Sequence, residues 1–198
     1  MKSKKELFRE EAKIKLAKYS SLGRIKRDKY VVASLEKLIK KNKYKNILLY
    51  VPLKNEVNIM PLIKRIRRKS NVYVPFMEGV SFKMVEFRLP LFKKSFNIKE
   101  PKNSFRKASK IDLAIVPVLG VDGAFKRIGF GKGMYDRFFE SLKSSPKVVF
   151  VQLGECFTVN KLCESHDIRA DIYITPYKII IKRGQNDNRY KYSSCCSS

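Results

Sequence analysis

The sequence predicts an α/β fold: a single domain with a central, mostly parallel or mixed sheet flanked by helices, and a glycine-rich loop joining a buried strand to a helix. Three observations carry this. First, ILLYVPL (47–53), IDLAIVPV (111–118) and KVVFVQLG (147–154) are short, nearly unbroken apolar runs, the composition of strands covered on both faces. Second, stretches with helical spacing of apolar residues alternate with these runs, as layered α/β domains require. Third, PVLGVDGAFKRIGFGKGMYDRFFESL (117–142) reads in succession as strand end, glycine-spaced basic loop and amphipathic helix. A length of 198 residues suits one domain, placed at 1–183, with 184–198 left as a polar, disordered tail.

Taken in order, residues from about Lys2 to Tyr19 form the first helix, with Leu7, Ile14 and Leu16 set among charges. Lys5 and Arg9, four apart, fall on one face of it, which by spacing alone is an ordinary solvated face. Ser20, Ser21 and Gly23 separate it from a second helix at about 25–42. The strand at 47–53 leads into KNEVNIMPLI and a helix carrying Lys64 to Arg68, with Glu56 as an acidic residue ahead of or within its first turn. NVYVPF (71–76) and FKMVEF (82–87) are strands joined by a turn at Glu78 and Gly79. KIIIKR (178–183) reads as a last strand at a sheet edge, its Lys and Arg guarding that edge.

The central loop has a chemistry of its own. Gly129, Gly131 and Gly133 alternate with Phe130 and Lys132, so the backbone can turn tightly and approach a ligand closely. Its free N–H groups, the dipole of the helix it opens, and the cations Arg127 and Lys132 suit a phosphate. Asp136, in the first helical turn, stands where a carboxylate can hold a magnesium ion (Mg2+). The spacing is neither that of a dinucleotide-binding fold nor that of a P-loop, and by itself it fits a plain strand-to-helix turn equally well. In the following helix Met134, Phe138 and Leu142, with Tyr135 and Phe139, make one apolar stripe.

Composition narrows the classes. No apolar run approaches the ~20 residues of a membrane span, and the basic start MKSKKELFREE has no apolar signal core, so a cytoplasmic protein is expected. The four cysteines form no disulfide or metal framework, and there is one histidine, His166, read as structural. A formal net charge of +26 raises a nucleic-acid reading, but the cations are scattered through every segment rather than gathered in one arm. Most of this charge is read as solvated surface.

The string RIGFGKGMYDR (127–137) closely resembles the nucleotide loop of the 5-formyltetrahydrofolate cyclo-ligase family, which typically shows R-L-G-x-G-x-G-Y-Y-D with an Asp five residues before the Arg; here that Asp is Asp122. The resemblance extends in order through KELFR near the N-terminus, Glu56, SFNIKEP (95–101) and the closing ESHDIRADIYIT, covering about Lys4 to Thr175. It implies an enzyme that uses ATP to cyclise 5-formyltetrahydrofolate to 5,10-methenyltetrahydrofolate, releasing ADP and phosphate, and acting as a monomer. The implied ATP site comprises Lys5, Arg9, Arg127, Ile128, Gly129, Phe130, Gly131, Lys132, Gly133, Met134 and Tyr135. Arg127 and Lys132 among them are expected to be catalytic. Asp136 and Asp167 are the implied magnesium ligands. Val51, Glu56, Phe76, Met84 and Phe96 are assigned to the folate, and Asp171 to orienting a strand. Phe125 stands where the family has Gly, so the turn there is expected to differ, with Gly123 as its substitute; Met134 replaces a Tyr. The alternatives are a basic nucleic-acid-binding protein and a catalytically silent relative.

Overall fold

A computed structural model of the chain describes residues 2–21, 23–93, 99–103, 110–182 and, by backbone alone, 190–194. Its helices are α1 (Lys4–Ser21), α2 (Arg24–Asn42), α3 (Met60–Ile66) and α4 (Met134–Glu140). The strands are β1 (Asn46–Leu48), β2 (Asn71–Glu78), β3 (Ser81–Glu86), β4 (Phe92–Lys93), β5 (Lys99–Glu100) and β6 (Leu113–Pro117), then β7 (Gly120–Val121), β8 (Arg127–Ile128), β9 (Lys147–Val151), β10 (Ile172–Ile174), β11 (Lys178–Lys182) and β12 (Tyr190–Ser194).

The main sheet runs in the order β12-β11-β10-β9-β6-β1-β2-β3. Its centre is parallel, through β10–β9, β9–β6, β6–β1 and β1–β2. Antiparallel strands close both sides: β3 on β2, and β11 then β12 beyond β10. This is the mixed sheet the sequence predicts. All five residues of β6 are buried, as its unbroken apolar composition requires. One face carries Leu16, Leu35 and Ile63 of α1, α2 and α3 against Ile47, Leu49, Ile115 and Val149. The other packs Phe138 of α4 with Leu48, Ala114, Val116, Phe150 and Tyr173.

Several boundaries differ for local reasons. The 47–53 run pairs only as Asn46–Leu48, with Leu49 N–H still donating to Tyr73 O at 2.8 Å. Pro52 has no N–H with which to extend the ladder, and the chain leaves the sheet into an irregular segment. The helix expected to carry Lys64 to Arg68 ends at Ile66, so Arg67 and Arg68 lie past it. The edge assigned to KIIIKR is covered: Tyr190–Ser194, within the segment read as a disordered tail, pairs antiparallel with β11 from Lys178↔Ser194 to Lys182↔Tyr190. Unpaired β11 backbone groups supply the template for that extra strand.

Candidate active site

The glycine loop leaves the carboxyl end of β6, where open α/β sheets bind ligands. Between strand and loop lies a small hairpin that the sequence reading did not foresee, β7 paired antiparallel with β8. Asp122 is its brace. Oδ1 accepts the backbone N–H groups of Ala124 and Lys126 at 3.0 and 2.9 Å, and Oδ2 those of Leu162 and Cys163 at 3.0 and 2.9 Å. The turn it braces keeps a left-handed residue at Phe125 (φ 63°), the conformation that glycine adopts freely. The expectation that Gly123 substitutes there is therefore corrected. Gly123 serves close approach instead, since a Cβ on it would come within 1.9 Å of Val159 O. Phe125 is fully buried, edge-on to Tyr173.

Arg127 begins the loop with its guanidinium folded inward, 7% exposed. Nε donates to Pro117 O at 3.4 Å, Nη1 lies 3.7 Å from Asp136 Oδ2, and the guanidinium carbon stands 4.8 Å from the centre of the Tyr135 ring. Gly129 makes room for it, because a Cβ there would meet Nη1 at 2.3 Å. Ile128 is buried, whereas Phe130, Gly131 and Lys132 are exposed, so the outer part of the loop is open to solvent. Gly131 and Gly133 have φ of 101° and 60°, conformations that side chains resist. Met134 and Tyr135 pack partly buried beneath the loop.

The first helix meets this loop. Arg9 Nε donates to Gly129 O at 3.0 Å, and Lys5 Nζ donates to Asp167 Oδ2 at 2.6 Å. Asp167 sits beside Asp136, whose Oδ1 accepts the N–H of the next residue, Ile168, at 3.2 Å. Burial acts to raise the Asp167 pKa, but hydrogen bonds from Lys5 and from Glu164 N–H, with the charges of Lys5 and His166, outweigh it and hold the carboxyl below its usual range. Among the described residues no group of three or more His, Cys, Asp or Glu side chains suits a metal. Asp136 and Asp167 match the number of protein carboxylates that magnesium takes, the rest of its shell being water and phosphate oxygens. Lys5 already places a positive charge on Asp167.

Glu56 lies on the same side of the molecule. Its Oε2 accepts Leu53 N–H at 2.9 Å, and Arg24 binds the carbonyls of Lys54 and Glu56 at 2.5 and 3.0 Å. Burial pushes its pKa up to about 7, opposed by the Leu53 hydrogen bond and the charge of Arg127. That Coulombic coupling puts Glu56 and the loop arginine in one electrostatic environment. Burial also raises the Tyr135 hydroxyl, and Glu56 adds to the rise. Glu56 is not in a first helical turn, because α3 starts at Met60, where Asn58 Oδ1 accepts the N–H at 3.2 Å.

Val51 and Phe76 pack on the α1–α3 face, with the Lys83 ammonium 5.6 Å from the Phe76 ring centre. Met84 packs on the opposite, α4 face. The two residues assigned together to one folate wall are thus on opposite faces. Phe76 pairs with Lys83 across the β2–β3 ladder, and strand alternation turns the next residue, Met84, away. Phe96 lies outside the described residues. Asp171 does orient a strand, accepting Val148 N–H at 2.8 Å. Sequence reasoning missed Arg24, whose only signal is a charge on α2. It also missed the buried Glu100, whose Oε1 accepts Met77 N–H at 3.0 Å in the hairpin carrying Phe76.

These features define a class: an α/β protein with a cationic, glycine-rich loop at the carboxyl edge of its sheet and two carboxylates, Asp136 and Asp167, near it. The chain belongs to the 5-formyltetrahydrofolate cyclo-ligase family, whose model matches residues 1–176. It is 24% identical over 172 residues to the 5-formyltetrahydrofolate cyclo-ligase of Haemophilus influenzae, covering 82% of this chain and 92% of that protein. It is 26% identical over 190 residues to the mouse protein of the same name, covering 85% and 92%. Among solved structures, the 5,10-methenyltetrahydrofolate synthetase of Aquifex aeolicus superposes with a TM-score of 0.73 at 26% identity, over 93% of this chain and 94% of that one.

Proposed function

We propose that the protein is a magnesium-dependent ligase that uses ATP to convert 5-formyltetrahydrofolate to 5,10-methenyltetrahydrofolate, ADP and phosphate. The observation that carries this reading is that Glu56, the residue assigned to the folate, feels the charge of Arg127, the cation assigned to the triphosphate and held beside Asp136 at the start of the glycine loop. Family membership supports the reaction class.

The chemistry explains the demand for these groups. Closing a formamide onto a neighbouring amine requires loss of the formyl oxygen, and hydroxide leaves poorly. The formyl oxygen instead attacks the γ-phosphorus, forming an O–P bond as the bond to the bridging oxygen breaks and ADP departs. The second folate nitrogen attacks the activated carbon and loses its proton. The C–O bond then breaks, and the oxygen leaves with phosphate. Alignment and charge neutralisation are what the protein contributes. Lys5, Arg9, Arg127, Lys132 and the amides of Gly129 to Met134 hold the triphosphate, with Tyr135 packed under the Arg127 guanidinium. Each charge-assisted bond contributes about 1.5–3 kcal/mol. Asp136 and Asp167 hold the magnesium ion, which supplies charge neutralisation at the phosphates. Val51, Glu56 and Phe76 form the folate side; Met84, partly buried on the opposite, α4 face, does not share that wall. With a pKa of about 7, Glu56 is the side chain there able to accept the proton lost by the attacking amine.

Phe125 leaves the site open, because its ring is buried in the core under the hairpin rather than lodged in the loop. That favours activity over a silent relative. On the family reading we place the enzyme in the cytoplasm as a monomer; separately, no described helix is long and apolar enough to cross a membrane. The test is direct: purified protein with 5-formyltetrahydrofolate, ATP and magnesium should develop the absorbance of the methenyl product, and chelation should abolish it. Absence of product with intact, folded protein contradicts the assignment.

A further inference from the structure

Arg137 has no part in the site as described so far, yet it joins that site's two halves. From α4 it reaches back to the glycine loop, where Nη2 donates to Lys132 O at 2.6 Å. The same guanidinium reaches across to the β2–β3 turn, where Nε donates to Val80 O at 3.1 Å and Nη2 donates to that carbonyl as well. The turn is a tight one between Glu78 and Ser81, and Val80 itself is exposed, so no side-chain burial secures its tip. Below it the hairpin seats on α4 through Phe82, stacked on Phe138 with centroids 4.3 Å apart and edge-on to Tyr135 at 5.0 Å. Its other face carries Phe76, which packs on the same core as Val51.

We propose that Arg137 is a positioning residue that clasps the hairpin turn to the glycine loop, so that ordering of the loop by a nucleotide is passed to the strand carrying Phe76 and the two substrates bind interdependently. The inference rests on the ATP-and-folate reading above. A planar guanidinium suits the task because its fixed fork serves two carbonyls at once, where an ammonium is a single point charge. Both accepting carbonyls belong to turns with a left-handed glycine beside them, Gly79 and Gly133, which are the segments that gain most from a tether. By linkage, a clasp that lets nucleotide favour folate lets folate favour nucleotide by the same factor.

The test is hydrogen exchange with and without magnesium-ADP on wild type, Arg137→Gln and Arg137→Lys, with nucleotide affinity measured in parallel by calorimetry. In wild type, magnesium-ADP should slow exchange at amides 76–84 as well as in the loop. Arg137→Gln should bind magnesium-ADP within about threefold of wild type yet protect only the loop, and kcat with both substrates saturating should fall about tenfold. Arg137→Lys should recover part of the protection. Equal protection of the hairpin in Arg137→Gln and wild type overturns the clasp. Failure of wild type itself to bind magnesium-ADP overturns the nucleotide reading and the clasp together, so the two failures are told apart by which protein shows them.

Discussion

Lys5 and Asp167, 162 residues apart in the chain, meet at 2.6 Å through a single hydrogen-bonded ion pair. The pair welds the start of α1 to the segment before β10, at the place where a triphosphate and its cation are proposed to sit. Lys5 is the partner of Asp167 in the free protein, and the proposed function adds a second use as phosphate ligand in the complex. Lys5→Met should raise the KM for ATP by about tenfold or more. It should also remove a pH-dependent stabilisation. A carboxyl with a depressed pKa stabilises the fold above its unfolded pKa and loses that effect as the pH falls through the folded one. The difference in urea midpoint between wild type and Lys5→Met should therefore be present at about pH 7 and shrink toward about pH 3.

Arg127 has a structural duty, its charge being buried beside Asp136 and the Tyr135 ring, to which the proposed function adds a chemical one. Arg127→Met should lower kcat/KM for ATP by a hundredfold or more, equivalent to about 3 kcal/mol of lost transition-state stabilisation. Stability should fall by about 3 kcal/mol, the effect of leaving a buried carboxylate without its partner. Urea unfolding and steady-state kinetics on the same preparation separate the two.

Glu56 predicts the opposite sign of pH dependence. Its folded pKa of about 7 lies above the usual carboxyl value, so folding favours the protonated form. That preference is complete below the unfolded pKa and is lost as the pH rises through about 7. Full burial would make this roughly 3 kcal/mol, and its partial exposure reduces the expectation to about 1–2 kcal/mol. Glu56→Gln should accordingly be more stable than wild type at about pH 8 and close to it at about pH 4. In the same variant, folate turnover should fall while magnesium-ADP binding persists.

Phe125 poses a contest between strain and packing. The left-handed backbone costs a non-glycine residue about 1–2 kcal/mol, which Phe125→Gly would relieve. Emptying the volume of a fully buried phenylalanine costs about 3–5 kcal/mol. Packing wins, so thermal unfolding of Phe125→Gly should show a net loss of about 2–3 kcal/mol.

How much of this was legible in the sequence follows from the range of each interaction. The apolar runs announced the parallel centre of the sheet, because burial on both faces leaves no polar alternation. The glycine loop was legible because tight backbone approach demands glycine locally: Gly129 lies against Arg127. Pairings set only by tertiary folding were not. Nothing near Lys5 indicates Asp167, and nothing in VYVPFMEGVSFKM says which of Phe76 and Met84 faces α1–α3 and which faces α4 until the register Phe76↔Lys83 is known. Arg24 and Arg137 act through backbone carbonyls, which carry no sequence signature. The strand Tyr190–Ser194 was hidden by its polar composition, since an outer strand can be held by main-chain bonds alone.

The central claim is that the formyl oxygen captures the γ-phosphorus, and isotope transfer tests it most directly. With 5-formyltetrahydrofolate carrying 18O in its formyl group, ATP, magnesium and enzyme, the inorganic phosphate released should contain one labelled oxygen per methenyl product formed. Methenyl product accompanied by unlabelled phosphate, with the label found in water, would contradict the account.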